Sequence, residues 1–204
     1  MTQSKNTGFW NIPNTITVGR ILAVPVMVLV LMPAAGETTL SRQTCVIAMA
    51  IFVGAMITDI IDGYLARKWG LVSVAGAFLD PLADKLMVVT TLVMLVPLGW
   101  LPAWLVALMI CRELTITALR TIAVSEGIVL KASLLGKYKT AAQSTALGFL
   151  LWHYPTNLFG LFEVNAHSIG IALVYFALLF SMWSALDYLL QFFRHVAEKE
   201  RSAA

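Results

Sequence analysis

The chain has 204 residues, 59% of them hydrophobic and 12% charged, with a formal net charge of +3 and a mean hydropathy of +0.83. A soluble domain of this size could not bury so much apolar surface, so the composition predicts a polytopic membrane protein. The small net charge gives nucleic-acid binding no support. The two cysteines, Cys45 and Cys111, both in apolar stretches, are too few for a disulfide framework or a zinc site and read as small buried hydrophobes.

The first fifteen residues, MTQSKNTGFWNIPNT, are polar and lack the basic start, apolar core and cleavage site of a signal peptide. Phe9, Trp10 and Ile12 among polar neighbours suggest a short segment at about 1–15 lying in the membrane interface, with a disordered tail as the competing reading. A spanning helix needs roughly 20 apolar residues to cross a hydrocarbon core about 30 Å thick. Six such stretches follow. They cover about 16–32, ended by Pro33 and Gly36; 44–65; 78–96, closed by Pro97 and Gly99; 103–124; from near Lys139 to Trp152, stopped by Pro155; and 168–193. No repeat, low-complexity tract or long linker divides residues 1–204. The expected fold is a single-domain, all-α integral membrane protein with six transmembrane helices.

Lysine and arginine in the connecting segments set the expected orientation. Lys5, Arg20, Arg67, Lys68, Lys85, Arg120, Lys131, Lys137, Lys139, Arg194, Lys199 and Arg201 fall on one side, at or beside helix ends. Only Arg42 falls on the other side, and Arg112 lies within the fourth stretch. Both termini are therefore expected in the cytoplasm. Trp100, Trp104, Trp152 and Tyr154 fall near the opposite boundary, where aromatic side chains anchor helices.

Carboxylates in or beside a span are costly and mark a candidate site. Asp59 and Asp62 are three apart at the end of the second stretch, and Asp80 and Asp84 are four apart at the start of the third. Each pair shares one helix face, and the loop at 66–77 returns the chain to the same membrane surface. Four carboxylates so gathered repel one another unless cations neutralise them. Hard oxygen donors favour Mg²⁺ or Mn²⁺, and two such ions would balance the four charges of Asp59, Asp62, Asp80 and Asp84. Gly63 and Ala66 let a ligand approach the helix closely. Arg67 can bond phosphate oxygens in a bidentate way, and Gly76, one turn before Asp80, permits close helix contact. Metal ions and arginine around a pyrophosphate suit transfer at phosphorus.

The stretch resembles the signature of the CDP-alcohol phosphotransferases, D-x2-D-G-x2-A-R-x8-G-x3-D-x3-D. Asp59, Asp62, Gly63, Ala66, Arg67, Gly76, Asp80 and Asp84 fill its eight fixed positions. NIPNTITVGR at 11–20, DPLADK at 80–85, CRELTITALR at 111–120 and GKYKT at 136–140 further resemble the bacterial phosphatidylglycerophosphate synthases of that family. The resemblance implies metal ligands at Asp59, Asp62, Asp80 and Asp84, with Asp84 also the catalytic base. It implies a CDP site at Asp59, Gly63, Ala66 and Arg67. The residues themselves leave open which aspartate is the base, since carboxylates sharing a site raise one pKa without saying whose.

A phosphorylated acceptor needs cations of its own. Lys137, Lys139, Arg112, Arg120 and Arg20 are the candidates. Positive-inside topology also explains the lysines, snorkelling explains Arg20, and helix bracing explains Arg112 with Glu113. Adjacent residues point about 100° apart on a helix, so Arg112 and Glu113 are expected to meet different neighbours, with Glu113 a brace or a partner for a basic residue. Asp187 could pair with a basic residue and is read as structural.

The resemblance implies transfer of the phosphatidyl group of CDP-diacylglycerol to sn-glycerol 3-phosphate, giving phosphatidylglycerol phosphate and CMP. It also implies a homodimer in a bacterial inner membrane, with the site facing the cytoplasm. A sister enzyme with another acceptor, such as inositol phosphate, serine or a phospholipid, is the nearest alternative. An ion-coupled transporter would need polar residues to continue through the outer half of the bundle, where the second and third stretches are nearly all apolar.

Overall fold

The computed structural model describes residues 11–33, 39–69, 74–125, 134–158 and 162–203. Six α-helices run through them: α1 Ile12–Leu31, α2 Arg42–Trp69, α3 Val74–Met94, α4 Ala103–Ser125, α5 Leu134–Trp152 and α6 Ala166–Ala203. Between α5 and α6 lies a short antiparallel pair, β1 Thr156–Leu158 and β2 Phe162–Val164, with Thr156 opposite Val164. This pair is the one departure from the expected all-helical chain among the described residues.

The first helix starts earlier than its hydropathy suggests. Asn11 caps it by accepting a 2.8 Å hydrogen bond from the Asn14 N–H, and Pro13 sits in the first turn, where its missing N–H costs nothing. Residues 12–15 therefore belong to α1, while Phe9 and Trp10 lie outside the described residues. The fifth helix likewise begins at Leu134, ahead of Lys139, and the sixth runs on to Ala203.

Three of these helices carry stretches long and apolar enough to cross a membrane by length and composition: Asn14–Leu31, Arg42–Leu65 and Ala166–His195. Charge sets α3 and α4 apart from them. The third helix carries Asp80, Asp84 and Lys85, and the fourth carries Arg112, Glu113 and Arg120.

The first helix packs against α2 and α3, α5 lies along α6, α4 leans on α6, and α2 meets α5. One apolar core joins them, with Met27, Cys45, Phe52, Met87, Leu105, Leu147 and Val174 among its buried members. Cys45 is buried as expected, but Cys111 is exposed. It follows the buried Met109 by two positions, about 200° around the helix, and so faces away from the core.

At one end of the bundle, Trp100 stacks on His153 with ring centroids 3.8 Å apart. The Tyr154 hydroxyl donates to the Leu40 carbonyl at 2.5 Å, and Trp152 Nε1 donates to Thr156 Oγ1 at 2.6 Å. Three of the four aromatic residues expected at the outer boundary thus gather where α3 and α5 end and α2 begins, and Trp104 is exposed on the first turn of α4.

Gly170 fixes how closely α5 and α6 approach. A Cβ there would stand 2.8 Å from Leu150 Cγ and 2.9 Å from the Leu150 backbone nitrogen. A side chain can turn away, but a helix backbone must shift as a whole. Gly170→Ala is expected to destabilise the protein by about 1–3 kcal/mol, read as a lower thermal midpoint in detergent. An unchanged midpoint would mean that the two helices part freely.

Candidate active site

The site is built at the other end of the bundle, where α2 ends and α3 begins. On α1, Asn14, Thr17 and Arg20 recur every third residue, which places them on one helical face. All three are buried. That polar stripe turns toward the aspartates, and further along α1 the buried Met27 and Leu31 enter the apolar core.

Arg20 lies among the carboxylates. Its Nη1 donates to Asp59 Oδ1 at 2.7 Å and to Asp84 Oδ1 at 3.2 Å, and its Nη2 donates to Asp62 Oδ2 at 2.5 Å. The Thr17 hydroxyl is 2.6 Å from Asp80 Oδ1 and 3.5 Å from Asp62 Oδ2. The four aspartates expected to form one site are therefore brought together, from two helices, by a third. They differ in openness: the side chains of Asp62, Asp59 and Asp84 are 2%, 33% and 41% exposed.

One guanidinium cannot neutralise four ionised carboxylates, so the cluster retains capacity for further positive charge. The donors fit a hard divalent cation, because every one is a carboxylate oxygen. Asp62 Oδ1 is buried with no hydrogen-bond partner, an orphan that costs free energy unless a cation or donor meets it. As the side chains stand, however, no three His, Cys, Asp or Glu residues among those described are grouped to share one ion. They are spread around the Arg20 guanidinium instead.

The expected CDP-binding residues follow on α2. Gly63 is half-buried beside Asp62, and Ala66 and Arg67 lie near the helix end with side chains outside the described residues.

The candidate acceptor cations separate. Lys139 is buried on α5 and pairs with Glu113 of α4. Arg112 Nη1 also reaches Glu113 Oε1, at 3.2 Å, and its Nε donates to the Ser181 carbonyl of α6 at 3.0 Å. Glu113 is thus a partner for basic residues, as expected. The expectation that Arg112 and Glu113 meet different neighbours holds for α6 and α5, but the two also pair with each other. Arg120 lies over the Tyr188 ring at 5.9 Å, and the Lys137 side chain lies outside the described residues. Arg20, read from the sequence as an acceptor candidate, is placed with the aspartates. Asp187 accepts a 2.9 Å hydrogen bond from Gln191 Nε2, so among the described residues its partner is an amide one turn away.

The sequence reading missed the part played by Thr17 and the position of Arg20. The available signal was the three-residue spacing of Asn14, Thr17 and Arg20 at the start of an otherwise apolar helix.

Beside the site, α2 and α5 enclose an apolar groove of about 490 Å³, lined by Met49, Phe52, Met56 and Ile60 on one wall and Gly148, Phe149 and Trp152 on the other. Ile60 follows Asp59 on α2, about 100° around the helix from it, so one end of the groove lies level with the carboxylates along α2 but on another face.

Residues 10–183 match the family model for CDP-alcohol phosphatidyltransferases. A Bacillus subtilis CDP-diacylglycerol–glycerol-3-phosphate 3-phosphatidyltransferase is 38% identical over 185 residues, covering 88% of this chain and 93% of the relative. The Haemophilus influenzae protein of the same name is 39% identical over 88% of this chain and 92% of its own. A probable phosphatidylglycerophosphate synthase of Mycobacterium tuberculosis is 34% identical over 95% of this chain and 87% of its own. The match spans all four aspartates and reaches about halfway along α6, and the chain belongs to the CDP-alcohol phosphatidyltransferase family.

Proposed function

We propose that this protein transfers the phosphatidyl group of CDP-diacylglycerol to sn-glycerol 3-phosphate, yielding phosphatidylglycerol phosphate and CMP. The observation that carries this reading is the gathering of Asp59, Asp62, Asp80 and Asp84 against the buried Thr17 and Arg20 side chains of α1. The activity named for its relatives supports it.

Asp59, Asp62, Asp80 and Asp84 hold Mg²⁺ or Mn²⁺, two ions in all, and Asp59, Gly63, Ala66 and Arg67 hold the CDP moiety. Bound there, such ions neutralise the charge that grows on a departing phosphate. Asp84 takes the proton from the acceptor hydroxyl. Of the three carboxylates paired with Arg20 it is the most exposed and has the longest contact, which suits a group that must meet a soluble substrate. The acceptor oxygen bonds to the lipid-bearing phosphorus, and the bond from that phosphorus to the bridging oxygen breaks. CMP leaves with the electron pair. Lys139 and Arg112, with Lys137 and Arg120, bind the acceptor phosphate. The α2–α5 groove gives an acyl tail an apolar place beside the reacting phosphorus.

The protein spans a bacterial inner membrane six times, with both termini and the active site on the cytoplasmic side, and works as a homodimer. This placement serves substrates of both kinds: the nucleotide and acceptor come from water while the tails stay in lipid.

The test is CMP release by purified protein from CDP-diacylglycerol with Mn²⁺ or Mg²⁺ and a panel of alcohols. Release is expected with sn-glycerol 3-phosphate. Release only with serine or inositol phosphate would reassign the acceptor, and no release with any alcohol would remove the enzyme reading.

A further inference from the structure

Among the described residues, the hydrogen bonds from α1 fall on a single oxygen of each aspartate. Arg20 engages Asp59 Oδ1, Asp62 Oδ2 and Asp84 Oδ1, and Thr17 engages Asp80 Oδ1. Among the described residues, no such bond from α1 reaches Asp59 Oδ2, Asp62 Oδ1, Asp80 Oδ2 or Asp84 Oδ2. Among them Asp62 Oδ1 is buried without a hydrogen-bond partner, on a side chain only 2% exposed. A carboxylate held by one oxygen can no longer rotate freely about its own axis, so its other oxygen is aimed. Hydrogen bonds behind a metal ligand act in this way, fixing the ligand's orientation and strengthening the site.

We propose that Thr17 and Arg20 are positioning residues. They hold one oxygen of each of the four aspartates and so restrict how each carboxylate can turn its other oxygen toward a divalent cation. This rests on the metal-dependent reading above.

Arg20 is suited to the task by geometry. Its planar fork meets carboxylates from α2 and α3 at once, which an ammonium group on a flexible stem could not do with the same fixed angles. Thr17 is suited by position, since it is fully buried and its hydroxyl lies between Asp80 and Asp62. Because Thr17 is neutral, replacing it alters orientation without altering the charge of the cluster.

The experiment measures Mn²⁺ binding to the full-length purified protein by calorimetry, without lipid substrate, alongside its metal-free thermal midpoint. Thr17→Val removes the hydroxyl at nearly constant shape, Thr17→Ser restores it, and Arg20→Lys keeps the charge but loses the fork. Thr17→Val and Arg20→Lys are expected to weaken Mn²⁺ binding by about 10–100-fold, with Thr17→Ser near the unsubstituted protein. The metal-free midpoint of Thr17→Val should stay within a few degrees, which separates positioning from general unfolding. Unchanged affinity in Thr17→Val would overturn the proposal, and so would tighter binding in Arg20→Lys, which would make the guanidinium a competitor of the ion. If the unsubstituted protein binds no Mn²⁺, the metal-dependent reading itself falls and takes the proposal with it.

Discussion

Asp84→Asn is expected to reduce CMP release by about 10²–10⁴-fold, the range for loss of a positioned general base, while leaving a folded protein. Asparagine keeps the shape of aspartate and still offers Arg20 an acceptor oxygen at the position of the present 3.2 Å contact. Arg20 also retains its two shorter contacts, to Asp59 and Asp62, so the cluster stays joined. What is lost is a group able to take the hydroxyl proton, together with one negative charge of the proposed metal site. The measurement is CMP release at saturating concentrations of both substrates, with the thermal midpoint as the check on folding. Activity within tenfold of the unsubstituted protein would place the base on another residue.

Glu113→Ala should have the largest effect on stability. It leaves Lys139 and Arg112, 7% and 8% exposed at their side chains, facing each other without the carboxylate that both contact. Removing one member of a buried ion pair costs about 3–5 kcal/mol, because the remaining charge is stranded. The double variant Glu113→Leu with Lys139→Met separates this penalty from function. Apolar replacement of a whole buried pair is often neutral, and Arg112 keeps its bond to the Ser181 carbonyl. The double variant is expected to recover most of the thermal midpoint, yet its KM for sn-glycerol 3-phosphate should stay raised at least tenfold. Recovery of both would confine Lys139 to bracing α4 against α5.

The helices were legible because each apolar stretch must satisfy its backbone within itself, so hydropathy marks them whatever their neighbours do. Their ends were less legible. Asn11 and Pro13 extend α1 through capping chemistry, which hydropathy does not register. The aspartates were legible for a different reason: helical spacing within Asp59–Asp62 and Asp80–Asp84, with one short loop between, constrains all four. Arg20 had no such local constraint. Its partners lie 39, 42 and 64 residues away, and a basic residue near a helix end satisfies the topology rule equally well in lipid headgroups or inside the bundle. The same ambiguity covered Arg112, Glu113 and Lys139, whose pairing depends on how α4, α5 and α6 meet.

The position of Arg20 bears on how the protein is made. Its guanidinium leaves the ribosome 39 residues before its first partner, Asp59, and 64 residues before its last, Asp84. A lone arginine deep in a span costs about 2.5–3.5 kcal/mol on the insertion scale, whereas one near the membrane surface can reach toward headgroups and water. The first helix therefore enters the bilayer with this charge drawn to the surface. It gains its full set of partners only once Asp84 of α3 has been made, so the joining of α1 with α2 and α3 waits for the third helix.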